Sequence, residues 1–409
     1  MDKKYKVVLL CHFDNEEVHQ ALQLNTRLYE FAPWITIALK TIENNHYFNL
    51  YVVAPRYDIK SVRRIEIRGV NYIFYNPHIK WNYHILHNRF FDIDYITNFY
   101  EHKRIVNDLV NSIKPDIVHL FGAENPYYSS TILPIADKYP TILTVQGFCS
   151  HSKQRLTGYQ KQRSQIELEI IKKMYVAFYE TKKQGSDIKR INPDIELFYH
   201  TYGSYRIENP PICKEKKYDI VFFARICKDK GILDLLEAIK IIKIRKPDVS
   251  LCVIGSGDVD EFKRYAEKLD IDNNIVWAGF QPTRDDVYRL AVQGKLCVLP
   301  TYHDIIPGTI MESMFLRIPV VAYATDSIPE INETGEVIKL VPTGDVLSLA
   351  NMIYLVLSKG ESSDSLTEKA YIRAIEMFDP SSLYLQDCLD AGYKRSIEIF
   401  QERKSNMNI

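Results

Sequence analysis

From His12 to Phe31, between its first two apolar segments, the chain contains no glycine. A dinucleotide-binding turn needs glycines there, for the tight bend and for close approach of a pyrophosphate, so a Rossmann dehydrogenase is excluded. The seven cysteines (11, 149, 213, 227, 252, 297 and 388) are scattered, with no CxxC pair and no histidine partners at metal spacing. Neither a disulfide framework nor a metal site is expected from that pattern, and a reducing compartment suits it. The formal net charge is zero, which argues against a general binder of nucleic acid or other polyanions. No segment approaches the length of a membrane span. The basic start (Lys3, Lys4, Lys6) precedes an apolar run too short for a signal peptide, so the expected location is cytoplasmic.

What is present fits a globular protein of two domains: 409 residues, 46% hydrophobic and 25% charged. A first alternating series has strands at 6–11, 50–54, 70–75, 115–121 and 141–145, with helices starting near Pro33 and Trp34 and over 105–113. Linker composition follows at 202–211. A second series has strands at 218–223, 250–254, 275–278, 296–299 and 320–323, and a final helix covers 381–400. Alternation of this kind predicts parallel sheets covered on both faces. Residues 1–200 hold roughly 26 Lys/Arg against 21 Asp/Glu, most of the excess lying in 151–200. Within it, 158–183 reads as one basic amphipathic helix. Such a helix presents either a solvated lysine face or a contact with an anionic membrane surface.

The chemistry concentrates in the second series. A buried strand at 295–300 leads into an irregular turn holding Asp304, then Pro307, Gly308 and Thr309, then a helix carrying Glu312. This arrangement aims two carboxylates and the free N–H groups of a helix start into one crevice at the carboxyl end of a strand. Acids beside an anion site suit a ligand with both hydroxyls and phosphates, as a nucleotide sugar has. Upstream, Arg225 and Lys230 occupy a strand-to-helix turn, where two cations neutralise a pyrophosphate without a metal. Arg225 otherwise reads as a surface salt bridge, Glu312 as a helix-terminal acid and Asp304 as a turn former. Gly255, Ser256 and Gly257 form a lone Gly-x-Gly. Gly279 and Phe280 end another strand, the ring serving either as core or as a stacking platform.

The spacing of Asp304 and Glu312 resembles the Glu-x7-Glu signature of retaining GT-B glycosyltransferases, family 4 in particular. Pro319, Val320, Val321 and Ala322, then Pro329 and Glu330, follow as in that family, and Arg225 with Lys230 and Gly231 matches its Arg-x4-Lys-Gly element. Two departures stand out: the first acid is Asp, and Asp326, Ser327 and Ile328 replace the Gly-Gly pair before Pro-Glu. The segments 114–122 and 145–147 are similar to the family's first domain, except that Gln146 stands where many members place a histidine; a glutamine is no base.

The resemblance implies a GT-B fold, two Rossmann-like doubly wound parallel-sheet domains facing a cleft. The acceptor-side domain would span 1–205, joined by the C-terminal helix 380–409, and the donor domain 206–379. It implies a retaining transferase moving a sugar from a UDP- or GDP-sugar to a glycan or lipid-linked acceptor in bacterial surface polysaccharide assembly, with no required cofactor or metal. Arg225 and Lys230 would hold the diphosphate, Asp304 the sugar and Glu312 the ribose. Gly279, Phe280, Pro307, Gly308 and Thr309 would complete the donor site, and Glu124, Asn125, Tyr127 and Gln146 would face the acceptor. Other readings are an inverting transferase using His12, His119 or His151 as base, a nucleotide-sugar epimerase, and a non-catalytic nucleotide-sugar-binding subunit.

Overall fold

The computed structural model describes residues 5–24, 35–36, 38–39, 42, 48–78, 92–151, 156–201, 206–207, 209–358 and 363–407. Its contacts fall into two compact units, Met1–Gly203 with Pro380–Ile409, and Ser204–Asp379.

The first unit is built on one sheet of β1 (Tyr5–Leu10), β2 (Phe48–Pro55), β3 (Arg63–Ile67), β4 (Val70–Tyr75), β5 (Ile117–Phe121), β6 (Thr141–Thr144), β7 (Val176–Tyr179) and β8 (Glu196–Tyr199), ordered β3-β4-β2-β1-β5-β6-β7-β8. Residues 7–10 and all of β5 are buried, as strands covered on both faces must be. Only β3 runs antiparallel. It joins β4 through Arg68 and Gly69, whose φ values of 51° and 81° are those of the mirror-image two-residue hairpin turn. Arg63, Arg64 and Glu66 give this edge strand the composition of a loop, so it has no strand signal in the sequence. The glycine-free connection also holds a short helix not expected from the sequence, α1 (Glu16–Ala21), capped by the Asn15 side chain accepting from the Val18 N–H. The expected helix start at Pro33 and Trp34 lies outside the described residues. Just beyond it, Ile35, Ala38, Leu39 and Ile42 are buried at helical spacing.

The single basic helix expected over 158–183 does not form. The chain instead makes α2 (Gly158–Lys173), then β7, then α3 (Lys182–Ile191). The backbone turns extended at Met174, and the aromatic and β-branched run Tyr175-Val-Ala-Phe-Tyr179 enters the sheet. The lysines are thereby divided between two helices, and Lys173 is paired with Asp137 at 2.7 Å.

The helix Leu383–Met407 belongs to this unit: Leu389 and Tyr393 are buried, the Tyr393 hydroxyl lies 2.9 Å from His119 Nδ1, and Arg395 grips both oxygens of Glu196 at 2.8 Å.

The second unit has six parallel strands, β9 (Tyr218–Phe223), β10 (Leu251–Ile254), β11 (Ile275–Gly279), β12 (Gly294–Leu299), β13 (Val320–Tyr323) and β14 (Lys339–Val341), ordered β11-β10-β9-β12-β13-β14. Chain order reverses between β9 and β12, the position where open sheets of this kind take their ligands, outside the carboxyl ends of the strands. The helices that matter below are α4 (Ile232–Lys243), α5 (Arg284–Ala291) and α6 (Gly308–Phe315). Among the described residues no helix is long and apolar enough to cross a membrane. All seven cysteines are free thiols.

Candidate functional site

The turn after β9 is pressed against the end of β12. A Cβ on Gly231 (φ 74°) would sit 1.8 Å from the Pro300 carbonyl oxygen, so only glycine lets the two segments meet. The Tyr302 N–H then donates to the Asp229 carbonyl at 2.9 Å. This contact brings Lys230 onto Asp304: its ammonium forms an ion pair with Asp304 Oδ2, and both side chains are 21% exposed. The buried Thr301 hydroxyl donates to the same oxygen at 2.9 Å.

Below the loop, the Tyr302 and Tyr323 hydroxyls both donate to Asp234 of α4 at 2.6 Å, and the bond to Asp234 pushes Tyr302 up to about 12. The Asp304 loop is thus clamped from both sides. Asp326, where the resemblance leads one to look for glycine, adopts φ 47°, a left-handed conformation that aspartate tolerates better than most side chains. Its carboxylate accepts from the Asp304 N–H at 3.3 Å.

Pro307 caps α6. The Thr309 hydroxyl donates to the Phe223 carbonyl at 2.6 Å, tying the helix start to the end of β9, two residues before Arg225. The N–H groups of Gly308 and Thr309 have no partner among the described residues, and a Cβ on Gly308 would meet nothing within 4 Å. Glu312 lies one turn on, its side chain 17% exposed. Tyr288 donates to it at 3.1 Å and the Arg284 guanidinium stands at 3.4 Å. Burial raises the Glu312 pKa, and Arg284 and Tyr288 pull against that shift. Neither α5 residue was legible in the sequence, because each reaches Glu312 from another helix.

Arg225 is exposed and makes no ion pair or side-chain hydrogen bond with the described residues, so the salt-bridge reading of it does not hold. Gly255 and Gly257 have a structural reason: a Cβ on either would lie 1.9 Å from the Ala224 carbonyl or 2.1 Å from that of Ile226. Phe280 is 71% exposed, so it is not core.

In the first unit the picture is mixed. Asn125 caps the helical turn Pro126–Ser129 by accepting from the Tyr127 N–H, and the Tyr127 hydroxyl donates to Asp92. Both side chains are engaged within the fold. Glu124 Oε2 and Gln146 Nε2 are shut off from solvent with no hydrogen-bond partner among the described residues. Burial, helped by Glu167, pushes Glu124 up to about 7 against Arg163 and Tyr128. His119, named as a candidate base, is a core residue bonded to Tyr393 and to Thr144 at 2.6 Å, and burial lowers it to about 3. His12 is part-buried at the end of β1, and of the His151 side chain nothing is described.

Two doubly wound α/β units, the second with the strand order of nucleotide-binding sheets and an acid–cation pair at its switch point, define the class. Residues 206–373, nearly the whole second unit, match the family model described as Glycosyl transferases group 1. Over 150 residues the chain is 30% identical to the amylovoran biosynthesis glycosyltransferase AmsK of Erwinia amylovora, a match covering 35% of this chain and 36% of that protein. The chain thus aligns with only about a third of that curated relative's length. Among solved structures, sucrose-phosphate synthase from Thermosynechococcus elongatus superposes with a TM-score of 0.68 at 13% identity, covering 98% of this chain and 100% of that one. Anabaena HepE in complex with UDP gives 0.65 at 11% identity, covering 95% and 99%. The fold is GT-B, two parallel-sheet α/β domains, as the sequence resemblance implied.

Proposed function

We propose that the chain is a retaining glycosyltransferase of the family 4 kind, moving a sugar from a UDP- or GDP-sugar to a glycan or lipid-linked acceptor in bacterial surface polysaccharide assembly. The observation that carries this reading is the Lys230–Asp304 ion pair at the switch point of the second unit, with Arg225, unpaired among the described residues, in the same segment after β9. AmsK, named for amylovoran biosynthesis, and the UDP held by HepE support the acceptor and donor classes.

Departure of the nucleoside diphosphate leaves an oxocarbenium-like sugar, and the main demand is to stabilise charge on the leaving phosphate. Arg225 and Lys230 supply fixed positive charge, and the open N–H groups of Gly308 and Thr309 add to it. With that charge supplied by side chains, the transfer is proposed to run without a metal. Asp304 accepts from a sugar hydroxyl and, when the diphosphate arrives, gives up its share of Lys230. Glu312 accepts from the ribose hydroxyls, and the exposed Phe280 and the Gly279 backbone flank the base. Glu124 and Gln146 are the acceptor-side candidates, since each has a polar atom without a hydrogen-bond partner among the described residues. Asn125 and Tyr127 shape that region through the cap and the Asp92 bond.

The leaving phosphate takes the acceptor's proton, so no protein base is needed. The inverting reading loses His119, which is buried and neutral in the core. Peripheral membrane contact is not part of the proposal, because the basic stretch behind it is split between α2 and α3. Incubation with a panel of nucleotide sugars and simple acceptors, with the anomeric configuration read by NMR, tests the reading. Transfer with retained configuration is expected; inverted product, or no turnover of any donor, contradicts it.

A further inference from the structure

The first unit gathers three side chains whose ligating atoms lie within 4.8 Å of one another: His78, Asp94 and His102. They come from the loop after β4, the short helix Ile93–Ile96 and the helix Tyr100–Ile113. His78 Nε2 stands 2.9 Å from Asp94 Oδ2, and His102 Nε2 stands 3.7 Å from the same oxygen. A tetrahedral ion with bonds of about 2.0–2.1 Å sets its ligand atoms about 3.3 Å apart. The two observed separations bracket that value.

The second observation concerns His102 alone. Its side chain is fully buried, yet Nε2 has no hydrogen-bond partner among the described residues, and 3.7 Å from Asp94 is too long to share a proton. Its other nitrogen, Nδ1, lies 3.2 Å from the Tyr75 hydroxyl, which in turn lies 3.4 Å from the Tyr127 carbonyl. The carbonyl only accepts, so Tyr75 donates to it and His102 Nδ1–H donates to Tyr75. The proton is then on Nδ1, and the Nε2 lone pair faces a carboxylate. Two acceptors aimed at each other in a dry site repel; a cation between them reverses the sign. An imidazole oriented through its far nitrogen is also how proteins hold metal-binding histidines. The rings of Tyr57, Phe99 and Tyr127, with centroids 6.4, 6.1 and 5.8 Å from that of His102, line the apolar surround. His78, 19% exposed, leaves a way in.

We propose that His78, Asp94 and His102 form a Zn2+ site in the first unit, with three protein ligands and one position left for water. Two imidazoles and one carboxylate select a zinc-like ion over magnesium or calcium, which prefer all-oxygen ligands. The ion would tie the β4 loop to the two helices, next to Tyr127. Sequence spacing hid the set, since nothing in the intervals between 78, 94 and 102 marks a local motif.

The test uses the full chain, free of any affinity tag and stripped with chelator, dialysed against Zn2+ and analysed for bound metal and thermal midpoint. The wild type should bind one equivalent and rise in thermal midpoint with added Zn2+. His78→Ala, at the partly exposed ligand and so least disturbing to the fold, should bind at least about 10-fold more weakly and lose the thermal response. Tyr75→Phe, which removes only the hydroxyl that orients His102, should weaken binding by about 10- to 100-fold. Failure of the wild type to bind stoichiometric zinc, or unchanged affinity in His78→Ala, overturns the proposal.

Discussion

In the first unit the chain order reverses between β1 and β5, in the second between β9 and β12, and the segments at the carboxyl ends of the two sheets match their polar groups differently. In the second unit the key groups are paired in advance: Lys230 with Asp304, Glu312 with Arg284, each acid also held by a hydroxyl, from Thr301 or Tyr288. Among the described residues Arg225 has no such partner. In the first, Glu124 Oε2 and Gln146 Nε2 are closed off from water and unmatched, a cost of roughly 1–3 kcal/mol for each such group. On the function proposed above, the pre-paired charges would take the diphosphate common to all donors and the unmatched groups the variable acceptor.

The sharpest way to break this contrast is through the two glycines of the second unit. Gly231→Ala puts a methyl group onto the Pro300 carbonyl and should destabilise the chain by roughly 3–4 kcal/mol in denaturant titration, whereas Gly308→Ala, with open space around it, should leave stability unchanged. A stable Gly231→Ala variant would mean the cation turn is not pressed against the acid loop. Next, Lys230→Ala should lower transfer by about 100-fold or more with little change in fold, by comparison with losing one donor to a developing anion. Full activity in that variant would remove the diphosphate assignment.

The third prediction concerns the first unit. An acid whose folded pKa lies above its unfolded value holds more protons folded than unfolded between the two, so stability falls as pH rises through that window. For Glu124 the window runs from the ordinary 4.5 to about 7. Glu124→Gln should flatten this slope and be more stable than wild type at pH 8 by roughly 2–3 kcal/mol, read by urea unfolding at pH 5 and 8. An unchanged slope would place the unmatched charge elsewhere. The smallest effect is expected from Phe280→Ala, about a 3- to 10-fold loss of UDP or GDP affinity by calorimetry, if the exposed ring stacks on the base. No loss would leave the base to backbone groups alone.

Much of this was legible because it is local. Strands such as Leu251–Ile254 and Val320–Tyr323 are unbroken apolar runs, and the eight-residue step from Asp304 to Glu312 marks one loop and one helix turn. What sequence order hides is which distant segments meet. Arg284 and Tyr288 gave no sign of facing Glu312, and Thr301 reads as an ordinary strand-end residue until its hydroxyl is seen on Asp304. The basic stretch over 158–183 misled because charge was counted along the chain while Tyr175-Val-Ala-Phe-Tyr179 was already a strand by its aromatic and β-branched content. His119 looked like a base because a histidine in a strand does not announce that a tyrosine 274 residues away will bury it.

Arg225 offers the cleanest probe of the central claim, since it is exposed and its side chain makes no ion pair or hydrogen bond among the described residues. Calorimetric titration of UDP and GDP into wild type and Arg225→Ala should show one nucleotide binding the wild type and binding the variant at least about tenfold more weakly, with the thermal midpoint of the unliganded protein unchanged. Equal affinity in the two proteins would mean that the diphosphate does not bind at the crevice between β9 and β12.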